Sequence, residues 1–385
     1  PDQPASDVAK GAKWQVCTPE VAAKSSGVGF FFAESLHPHT KAPIALLQTA
    51  VPATWGENWI SRAAMEADPE FRYSLDAYEK ALQELPAKQK EWEAQKAEHD
   101  RRVAEAKAEG KTPPQPSYFV QNGPMGPKHS RRPNALYNGR IAPLMPFAVR
   151  GVLWYQGEGN SQIKLAEHYH KLLTTLVRSW RAGFAQGDVP FFIVQLPRYD
   201  YDSPWSSYPL VREAQMRVSV EQPRCGLVTL MDDGEPKDVH PKNKRPVGER
   251  LARLARAMIF QEPLVPTGPL LEHHAVKDGS VLLRFRHVGD GLRSRDGALR
   301  TFTVCGADKV FHPAAAEIVG KDTIRVTCAE VKDPIAARYA WGPFPDCNLF
   351  NSEDLPASPF RTDDFDTGHY LPLEPYLKAQ KEKMP

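Results

Sequence analysis

Polar side chains suited to chemistry follow directly after an apolar run in the segment "GVLWYQGEGN", residues 151–160. Gln156, Glu158 and Asn160 stand where that run ends, and glycines separate them. Burying such groups costs free energy unless they are hydrogen-bonded, so this spacing favours a site over an ordinary core. The Gln156 amide can donate a hydrogen bond to developing negative charge, and Glu158 can orient a neighbouring donor or histidine. A structural polar network is the alternative.

Two aromatic residues, Trp154 and Tyr155, precede this polar group. One of them is expected to face the core and the other to line a pocket, although core packing is the more ordinary role for each. Together with Asn160 they are the predicted substrate-binding residues.

A second polar group follows the apolar run "GLVTLM" in the segment "LMDDGEPKDVHPKNK", residues 230–244. A histidine beside carboxylates has what a general base needs, namely a pKa near neutrality and a partner that fixes its tautomer. His240 fits that description, because Asp238 lies two positions earlier and Pro241 stiffens the exit from the loop. We therefore predict a catalytic His240 with Asp238 as its partner. A structural histidine is the alternative.

Basic residues also cluster in this loop, and they are Lys237, Lys242, Lys244 and Arg245. A solvated loop is the expected role for them. Recognition of an acidic substrate is the second interpretation.

Apolar runs alternate with helix-like periodicity between residues 43 and 263, which indicates a parallel sheet wrapped by helices. The predicted strands are "PIALLQTAV" (43–51), "FAVRGVLWYQ" (147–156), "PFFIVQL" (190–196) and "GLVTLM" (226–231). Apolar residues recur on one face of helices predicted near 165–181 and 246–261. Ligands of open parallel sheets bind outside the carboxyl ends of the strands, where both polar groups fall.

Residues 66–112 interrupt this alternation with a segment rich in Ala, Glu, Lys and Gln, broken by Pro86. The segment predicts an inserted helical hairpin. Because Trp92 is a conspicuous apolar residue there, one interpretation is a partner-binding or oligomerising arm. The other is a solvated helix pair held by charge pairs four residues apart, since apolar positions are too sparse for a coiled coil.

Short alternating runs after residue 264 predict a small antiparallel β-domain. The runs are "VLLRFRH", "TFTVCG", "TIRVTC" and "ARYAW". The predicted domains are an α/β domain (1–65 and 113–264), the hairpin (66–112), the β-domain (265–362) and a tail (363–385).

Composition excludes several classes of protein. The 385 residues are 41% hydrophobic, which is enough to build hydrophobic cores. The 49 basic and 47 acidic side chains nearly cancel, so the chain has no strong net positive charge to bind a nucleic-acid backbone. No apolar run reaches the roughly 18 residues of a membrane span, so neither a nucleic acid nor a membrane is an expected partner. No signal-peptide-like stretch opens the sequence, so either none existed or it was removed from a longer precursor.

The five cysteines form no Cys-x-x-Cys pair, and no zinc-ligand spacing occurs, so no metal is expected. An odd count leaves at least one thiol free. Cys305 and Cys328 are the two that could meet in the C-terminal sheet, as a disulfide or as separate thiols.

Several segments together resemble the sialate O-acetylesterase family of SGNH hydrolases. They are "LYNGRIAP", "RGVLWYQGEGN", "DVPFFIVQL", "LVREAQ" and "DVHPKNKRPVGERLA". The similarity covers roughly residues 14–62 and 134–361 and omits the insertion. It implies a serine esterase on a flavodoxin-like three-layer parallel sheet, often followed by a β-domain. By this resemblance His240 is the general base, Gln156 an oxyanion-hole donor, and Glu158 and Asn160 the supporting polar groups.

The chain departs from the family pattern at three places. The Gly-Gln-Ser-Asn motif that carries the family's nucleophile is absent, and Ser26 and Ser35 do not replace it because each lies in a helix-like run. The turn that usually reads Trp-Gly-Gly-Thr reads "VPAT", and Pro52 has no N–H to donate to an oxyanion. The usual Asp-x-x-His spacing becomes Asp238-Val-His240, so Asp238, Glu158 or a backbone carbonyl is expected to orient the imidazole.

The resemblance implies hydrolysis of acetyl esters on a carbohydrate, with no metal or organic cofactor. It implies an acetylated carbohydrate as partner, and a companion fragment of the same precursor that supplies the serine. Secretion or periplasmic export follows from the same resemblance. Two rivals remain: a non-catalytic carbohydrate-binding relative, and a scaffold that acts through residues 66–112.

Overall fold

The structure, a computed structural model, describes residues 3–8, 12–200 and 207–365. Apart from 363–365, the predicted tail lies outside these residues. The chain forms two compact units. The first, which we call the sheet unit, contains Trp14–Gln48, Val149–Thr174 and the residues from Asp188 onward. The second, which we call the helical unit, contains residues from the N-terminus, Thr49–Ala148 and Thr175–Gly187.

Three of the four predicted parallel strands are present in the sheet unit. They are β1 (Val152–Trp154), β2 (Phe191–Val194) and β3 (Cys225–Val228), in the order β1-β2-β3. All pairs are parallel, and the register places Trp154 opposite Ile193, which lies opposite Leu227. All residues of β2 and β3 are buried, as an apolar run without alternation predicts for a sheet covered on both faces.

The prediction of a strand at 43–51 is wrong. That run has no strand assignment, and although Ile44 packs against the core, Leu46 and Leu47 are 40% and 38% exposed. A strand needs a neighbour that pairs its N–H and C=O groups. Among the described residues β1 is an edge strand that pairs with β2 alone, and no strand lies beside 43–51 to pair with it.

The α-helices of the described residues are α1 (Pro19–Ala22), α2 (Gly27–Leu36), α3 (Arg62–Glu66), α4 (Arg72–Ala108), α5 (Tyr118–Asn122), α6 (Ile163–Phe184), α7 (Tyr208–Glu221) and α8 (Arg245–Met258). The helices that the amphipathic periodicity predicted near 165–181 and 246–261 are confirmed as α6 and α8. The Ser26 hydroxyl caps α2 by accepting the N–H of Gly29, and Ser35 lies within α2.

Helices α2 and α8 pack closely against one another and against β2 and β3. A Cβ at Gly248 would lie 2.5 Å from the Cβ of Phe31 and 2.6 Å from the backbone N of Phe32, so only glycine permits this approach. The shared core contains Phe32, Leu36, Phe192, Val194, Val228, Leu230, Val247, Leu251, Ala252, Leu254 and Ala255.

The predicted helical hairpin is a single helix. Helix α4 runs through 37 residues and contains Pro86, which has no N–H for an intrahelical hydrogen bond. Exposed charge pairs four residues apart flank the proline on both sides, such as Arg72–Asp76 at 2.6 Å and Lys96–Asp100 at 2.6 Å. A proline inside a helix costs about 3 kcal/mol, because one hydrogen bond is lost and the ring meets the carbonyl four residues earlier. The helix nonetheless continues through Pro86, and the flanking charge pairs stabilise it by about 0.2 to 0.5 kcal/mol each.

Trp92 holds the return segment against α4. Its indole N–H donates to the carbonyl of Val120 in α5 at 2.9 Å, and the Ser117 hydroxyl caps α5 by accepting the Val120 N–H at 3.2 Å. The residue that suggested a partner-binding arm therefore has an internal hydrogen bond.

The C-terminal half of the sheet unit is antiparallel, as its alternating sequence predicts. Its strands are β4 (Leu270–Lys277), β5 (Ser280–Arg286), β6 (Leu292–Ser294), β7 (Phe302–Cys305), β8 (Phe311–Pro313), β9 (Ala315–Ile318), β10 (Thr323–Thr327), β11 (Ala336–Tyr339), β12 (Leu349–Asn351) and β13 (Phe360–Arg361). They form sheets in the orders β4-β5-β10-β9, β13-β11-β7-β8 and β12-β6.

These strands share one compact unit with the parallel sheet, and buried hydrogen bonds join the two parts. The Thr229 hydroxyl donates to the carbonyl of Pro356 at 2.7 Å, and the Gln195 amide donates to the Ser358 hydroxyl at 2.9 Å. The domain boundary at 265 stays a prediction. All five cysteines are free, so Cys305 and Cys328 form no disulfide.

None of the helices in residues 3–8, 12–200 and 207–365 has the length and apolar character needed to cross a membrane.

Replacing Trp92 by Phe is expected to loosen α5 while leaving the core unchanged. The substitution keeps the aromatic packing and removes one hydrogen bond, worth about 1 kcal/mol, so the amides of Tyr118–Asn122 should exchange about fivefold faster. Hydrogen-exchange mass spectrometry measures this. Trp14→Phe, at a residue that is 62% exposed, is the control. Unchanged amide exchange in α5 of Trp92→Phe would show that the hydrogen bond from Trp92 to Val120 does not hold α5 in place.

Candidate active site

The Gln156 side chain is held in one orientation at the carboxyl end of β1. The Tyr169 hydroxyl, on α6, lies 2.8 Å from both the backbone carbonyl oxygen and the side-chain Oε1 of Gln156. The Nε2 of Gln156 donates to Oδ1 of Asn160 at 2.8 Å, and Asn160 is fully buried. The amide nitrogen and oxygen are thereby distinguished by their partners, so the direction of the donor is fixed.

Gln215 on α7 connects the ends of β1 and β2. Its Nε2 donates to the carbonyls of Gln156 at 3.0 Å and Val194 at 3.2 Å, and its Oε1 accepts the N–H of Leu196 at 2.9 Å. Gln215 is fully buried. Backbone groups beyond the strand ends have no ladder partners, and this amide supplies them.

A glycine is required directly after Gln156. A Cβ at Gly157 would lie 2.8 Å from Cγ1 of Val211 and 3.1 Å from Cδ1 of Leu196, so the chain can pass α7 only without a side chain. Residues Glu158–Asn160 then form one 3₁₀ turn. The glycine that the sequence places between Gln156 and Glu158 is therefore required because any side chain there would clash with Val211 and Leu196.

Arg212 fixes the loop that follows β2. It is fully buried, and burial lowers the pKa of its guanidinium to about 10. Its N–H groups donate to the carbonyls of Leu196 (2.9 Å), Pro197 (2.6 Å), Gly342 (2.8 Å) and Pro343 (2.9 Å). A guanidinium paired with backbone carbonyls ties the β2 end to the C-terminal half of the same unit.

Glu158 is the electrostatic centre of the site. Burial raises the pKa of its carboxyl above the ordinary value of 4.5, while backbone hydrogen bonds and the positive charges of His240 and Lys244 act in the opposite direction. The Nζ of Lys244, on the same loop as His240, lies 5.8 Å from the ring centroid of Tyr155, so the end of this loop lies beside the residue that follows β1. The convergence of Gln156, Glu158 and His240 on one site stays a prediction.

Lys244 lies in the site, contrary to its expected place in a solvated loop. It is half-buried, and burial lowers the pKa of its ammonium, opposed by the charges of Asp233, Glu158 and Asp238. Its Nζ lies 5.8 Å from the ring centroid of Tyr155. The sequence showed only a cluster of basic residues here, and nothing in it indicated that Lys244 would be half-buried while its neighbours Lys242 and Arg245 are exposed.

His240 stands on an exposed loop, and its side chain is 81% exposed. The Oδ1 of Asp238 accepts the backbone N–H of His240 at 2.9 Å and lies 3.7 Å from the imidazole Nδ1. The shorter contact shapes the turn, and the longer one exceeds a hydrogen bond. The orientation of the imidazole by Asp238 stays a prediction.

The two predicted aromatic residues differ in their surroundings. Trp154 is 6% exposed, and its indole N–H lies 3.4 Å from the Tyr169 hydroxyl, so it packs in the core. Its contact with substrate stays a prediction. Tyr155 is half-buried beside Lys244, and the pKa of its phenol is raised by burial and by the negative charges of Glu158 and Asp233.

The two aspartates after β3 have separate roles. Asp232 forms a two-point ion pair with Arg250 of α8, with both N–O distances at 2.7 Å. The Oδ1 of Asp233 accepts the N–H of Gly234, whereas its buried Oδ2 has no hydrogen-bond partner among the residues that the structure describes. The negative charge of Asp233 raises the pKa of Lys244 and so opposes the effect of burial.

Within the part of the chain that the structure describes, no group of three or more His, Cys, Asp or Glu side chains is arranged to hold a metal ion.

A family model for carbohydrate esterases, sialic acid-specific acetylesterase, matches residues 130–258, which contain Gln156, Glu158 and His240. A crystal structure of a carbohydrate acetylesterase from Xanthomonas citri superposes with a TM-score of 0.75 and 32% identity, covering 94% of this chain and 71% of that chain. The chain belongs to the sialic acid-specific acetylesterase family of carbohydrate esterases. The predicted family and the α/β fold class, with a parallel sheet and C-terminal antiparallel strands, are therefore confirmed.

Relatives in this family include the sialate O-acetylesterase of Pongo abelii, 28% identical over 270 residues, and that of Homo sapiens, 28% identical over 259 residues. These alignments cover 63% and 60% of this chain. They cover 51% and 49% of the relatives, so the chain spans about half the length of the sialate O-acetylesterases that it matches.

The arrangement offers one oriented amide donor, one exposed imidazole, a carboxyl at Glu158 whose pKa is raised by burial, and a half-buried ammonium at Lys244. Sequence reasoning missed the side chains that hold this arrangement, Tyr169, Arg212 and Gln215. Tyr169 fell on the predicted core face of its helix and Gln215 within the segment "LVREAQ". The one indication in the sequence was that a residue with a polar group, such as Tyr169, fell on the predicted buried face of a helix, where that group needs a hydrogen-bond partner.

Glu158→Gln is expected to gain stability relative to the unchanged chain as the pH rises above 4.5. A carboxyl whose pKa is raised by folding binds a proton more tightly in the folded state, so ionising it lowers the stability of that state. The gain should be about 1.4 kcal/mol for each pH unit between 4.5 and the folded pKa.

Urea unfolding at several pH values measures this effect. Glu79→Gln, at an exposed glutamate of α4, controls for the loss of one negative charge. A stability difference that does not change with pH would show that Glu158 ionises as freely in the folded chain as in the unfolded one.

Proposed function

We propose that this chain carries the general-base and oxyanion-binding parts of a carbohydrate O-acetylesterase, and that the nucleophilic serine lies on a segment outside these 385 residues. The observation that carries the proposal is the Gln156 amide, fixed by Tyr169 and Asn160 at the carboxyl end of β1. The Nζ of Lys244, on the same loop as His240, lies 5.8 Å from the ring centroid of the neighbouring Tyr155. Family membership supplies the reaction class.

The proposed reaction proceeds through an acyl-enzyme. The serine oxygen attacks the acetyl carbonyl and His240 takes the serine proton, while the Gln156 N–H donates to the oxyanion. The bond between the acetyl carbon and the sugar oxygen then breaks, and the imidazolium returns its proton to that oxygen. Water, deprotonated by His240, attacks the acyl-enzyme and releases acetate and the free serine.

The proposed substrate is an O-acetylated sugar, with a sialic acid as one candidate because relatives of this chain are named sialate O-acetylesterases. The printed name of the Xanthomonas citri relative specifies only a carbohydrate. Export to the periplasm or outside the cell belongs to the same proposal, by resemblance to family members that act on external glycans.

The edge of the parallel sheet supports the position of the missing segment. β1 pairs on one side only among the described residues, and the apolar run 43–51 forms no strand. A companion segment that adds a strand at this edge would bring its own loop to the carboxyl end of β1. There it would meet Gln156, because neighbouring strand ends share one edge of the sheet.

The alternative is a non-catalytic carbohydrate-binding relative. Two observations favour it. Pro52 has no N–H in the turn where the family usually has a backbone donor, and the His240 imidazole lies 3.7 Å from Asp238, beyond hydrogen-bond distance. The scaffold hypothesis is weaker, because Trp92 is engaged within the helical unit.

The test is acetate release from p-nitrophenyl acetate by protein purified from its native source, with intact mass measured on the same sample. The proposal expects a companion segment and esterase activity. His240→Ala should reduce kcat/KM by roughly 100- to 10,000-fold, and Gln156→Ala by roughly 100- to 1,000-fold. His273→Ala, at an exposed histidine of β4, is the matched control and should leave activity unchanged.

Two outcomes would contradict the proposal. Binding of an acetylated sugar without acetate release, in the presence of the companion segment, would favour the non-catalytic relative. Full activity in His240→Ala would remove the imidazole from the mechanism.

A further inference from the structure

The helical unit contains a cavity that the proposed esterase mechanism does not use. Its volume is about 290 Å³, and it lies between α4 and the segment that includes α5 and continues to Arg131. All of its lining residues belong to the helical unit, so the cavity is complete without Gln156 or His240. A volume of this size is near the lower end of small-molecule sites, which suits one monosaccharide rather than a chain.

Arg131 gives the cavity its charge. Its guanidinium carbon lies 4.2 Å from the ring centroid of Tyr118 and 5.8 Å from that of Trp55. The backbone is anchored, because the Arg131 carbonyl accepts a hydrogen bond from the Asn58 amide at 2.7 Å. Among the residues that the structure describes, no carboxylate forms an ion pair with this guanidinium, and Glu84 of α4 is the one acidic residue in the lining.

His129 adds a buried neutral donor. The ring lines the cavity, is 9% exposed, and has its pKa lowered by burial and by the charge of Arg131. Its Nδ1 accepts the backbone N–H of Arg131 at 3.1 Å, so the proton of the neutral ring is on Nε2. An uncharged imidazole N–H beside a guanidinium suits an anionic or polar oxygen.

Aromatic faces form the apolar part of the lining. Trp55, Tyr118 and Phe119 contribute rings, and Tyr118 is 43% exposed at the mouth. Glu84 and Lys88 of α4 are exposed at the rim. Aromatic faces accept the C–H face of a sugar ring, and rim charges can hydrogen-bond its hydroxyls. The lining thus combines an apolar platform with polar groups at defined positions.

We propose that this cavity binds a monosaccharide unit that carries a carboxylate. Arg131 would hold the carboxylate through two parallel N–H···O hydrogen bonds, which a guanidinium forms better than an ammonium. The sugar ring would pack on Tyr118 or Trp55. The lining residues of this site belong to the helical unit, whereas Gln156, Glu158 and His240 belong to the sheet unit, and binding here needs no nucleophile. Its ligand can be a uronic acid or a nonulosonic acid, since both present a carboxylate on a six-membered ring.

The test uses the full chain and ligand-observed NMR titration. Glucuronate and N-acetylneuraminate are the two acidic probes, and glucose is the neutral match. We expect saturable binding of at least one acid and at least tenfold weaker binding of glucose. Which acid binds identifies the source of the carboxylate.

Variants assign that binding to the cavity. Arg131→Gln should weaken binding of the acid roughly tenfold to hundredfold, since a charge-assisted pair is lost. Arg102→Gln, at an exposed arginine of α4, is the matched control and should bind as the unchanged chain does. His240→Ala should also bind normally, which separates this inference from the proposed esterase.

Three results would overturn the proposal. They are no binding of either acid, equal binding of glucose and the acid, and unchanged binding by a folded Arg131→Gln chain. If Arg131→Gln does not fold, Tyr118→Ala replaces it, because that side chain is partly exposed and its loss removes the stacking face. Unchanged binding in Tyr118→Ala would then overturn the proposal equally.

Discussion

Strand ends in a parallel sheet leave backbone N–H and C=O groups without ladder partners, and buried groups of this kind must be paired. In this chain α7 pairs them. Gln215 bonds to the carbonyls of Gln156 and Val194 and to the N–H of Leu196, while Arg212 bonds to four further carbonyls. The positions of the side chains beyond β1 depend on these two buried residues.

The functional groups follow from that constraint. Because the Gln156 backbone is fixed, Tyr169 and Asn160 can set the direction of its amide. The chain then turns at Gly157 and places Glu158 where burial and the charges of His240 and Lys244 act on it in opposite directions. A preorganised amide and a histidine loop are the groups that acyl transfer needs apart from the nucleophile. This is why we assign the chain a part of an esterase site.

The sequence predicted those elements whose stability is encoded locally. The amphipathic patterns of α6 and α8 and the apolar runs of β2 and β3 depend on burial of a continuous face, which periodicity reveals. The run 43–51 has the same apolar composition, yet a strand also needs a neighbour, and composition does not show one. In α4, Pro86 predicted a break, yet the helix continues through it.

The candidate site was predictable by residue type but not by environment. Polar residues after apolar runs pointed to Gln156, Glu158, Asn160 and His240, whose roles in a reaction stay predictions. The burial of Lys244 and the role of Tyr169 arise from contacts between segments far apart in the chain, and no local pattern carries that information. Trp154 shows the same limit, since an aromatic residue beside a site looks the same in sequence whether it packs inward or lines a pocket.

The most direct test of the account is covalent labelling of native-source protein with a fluorophosphonate, followed by mass mapping of the labelled peptide. The account predicts a label on a serine in a Gly-Gln-Ser-Asn sequence outside these 385 residues, and loss of that label in His240→Ala. A label on any serine within the 385 residues, or acetate release without a labelled serine, would contradict it.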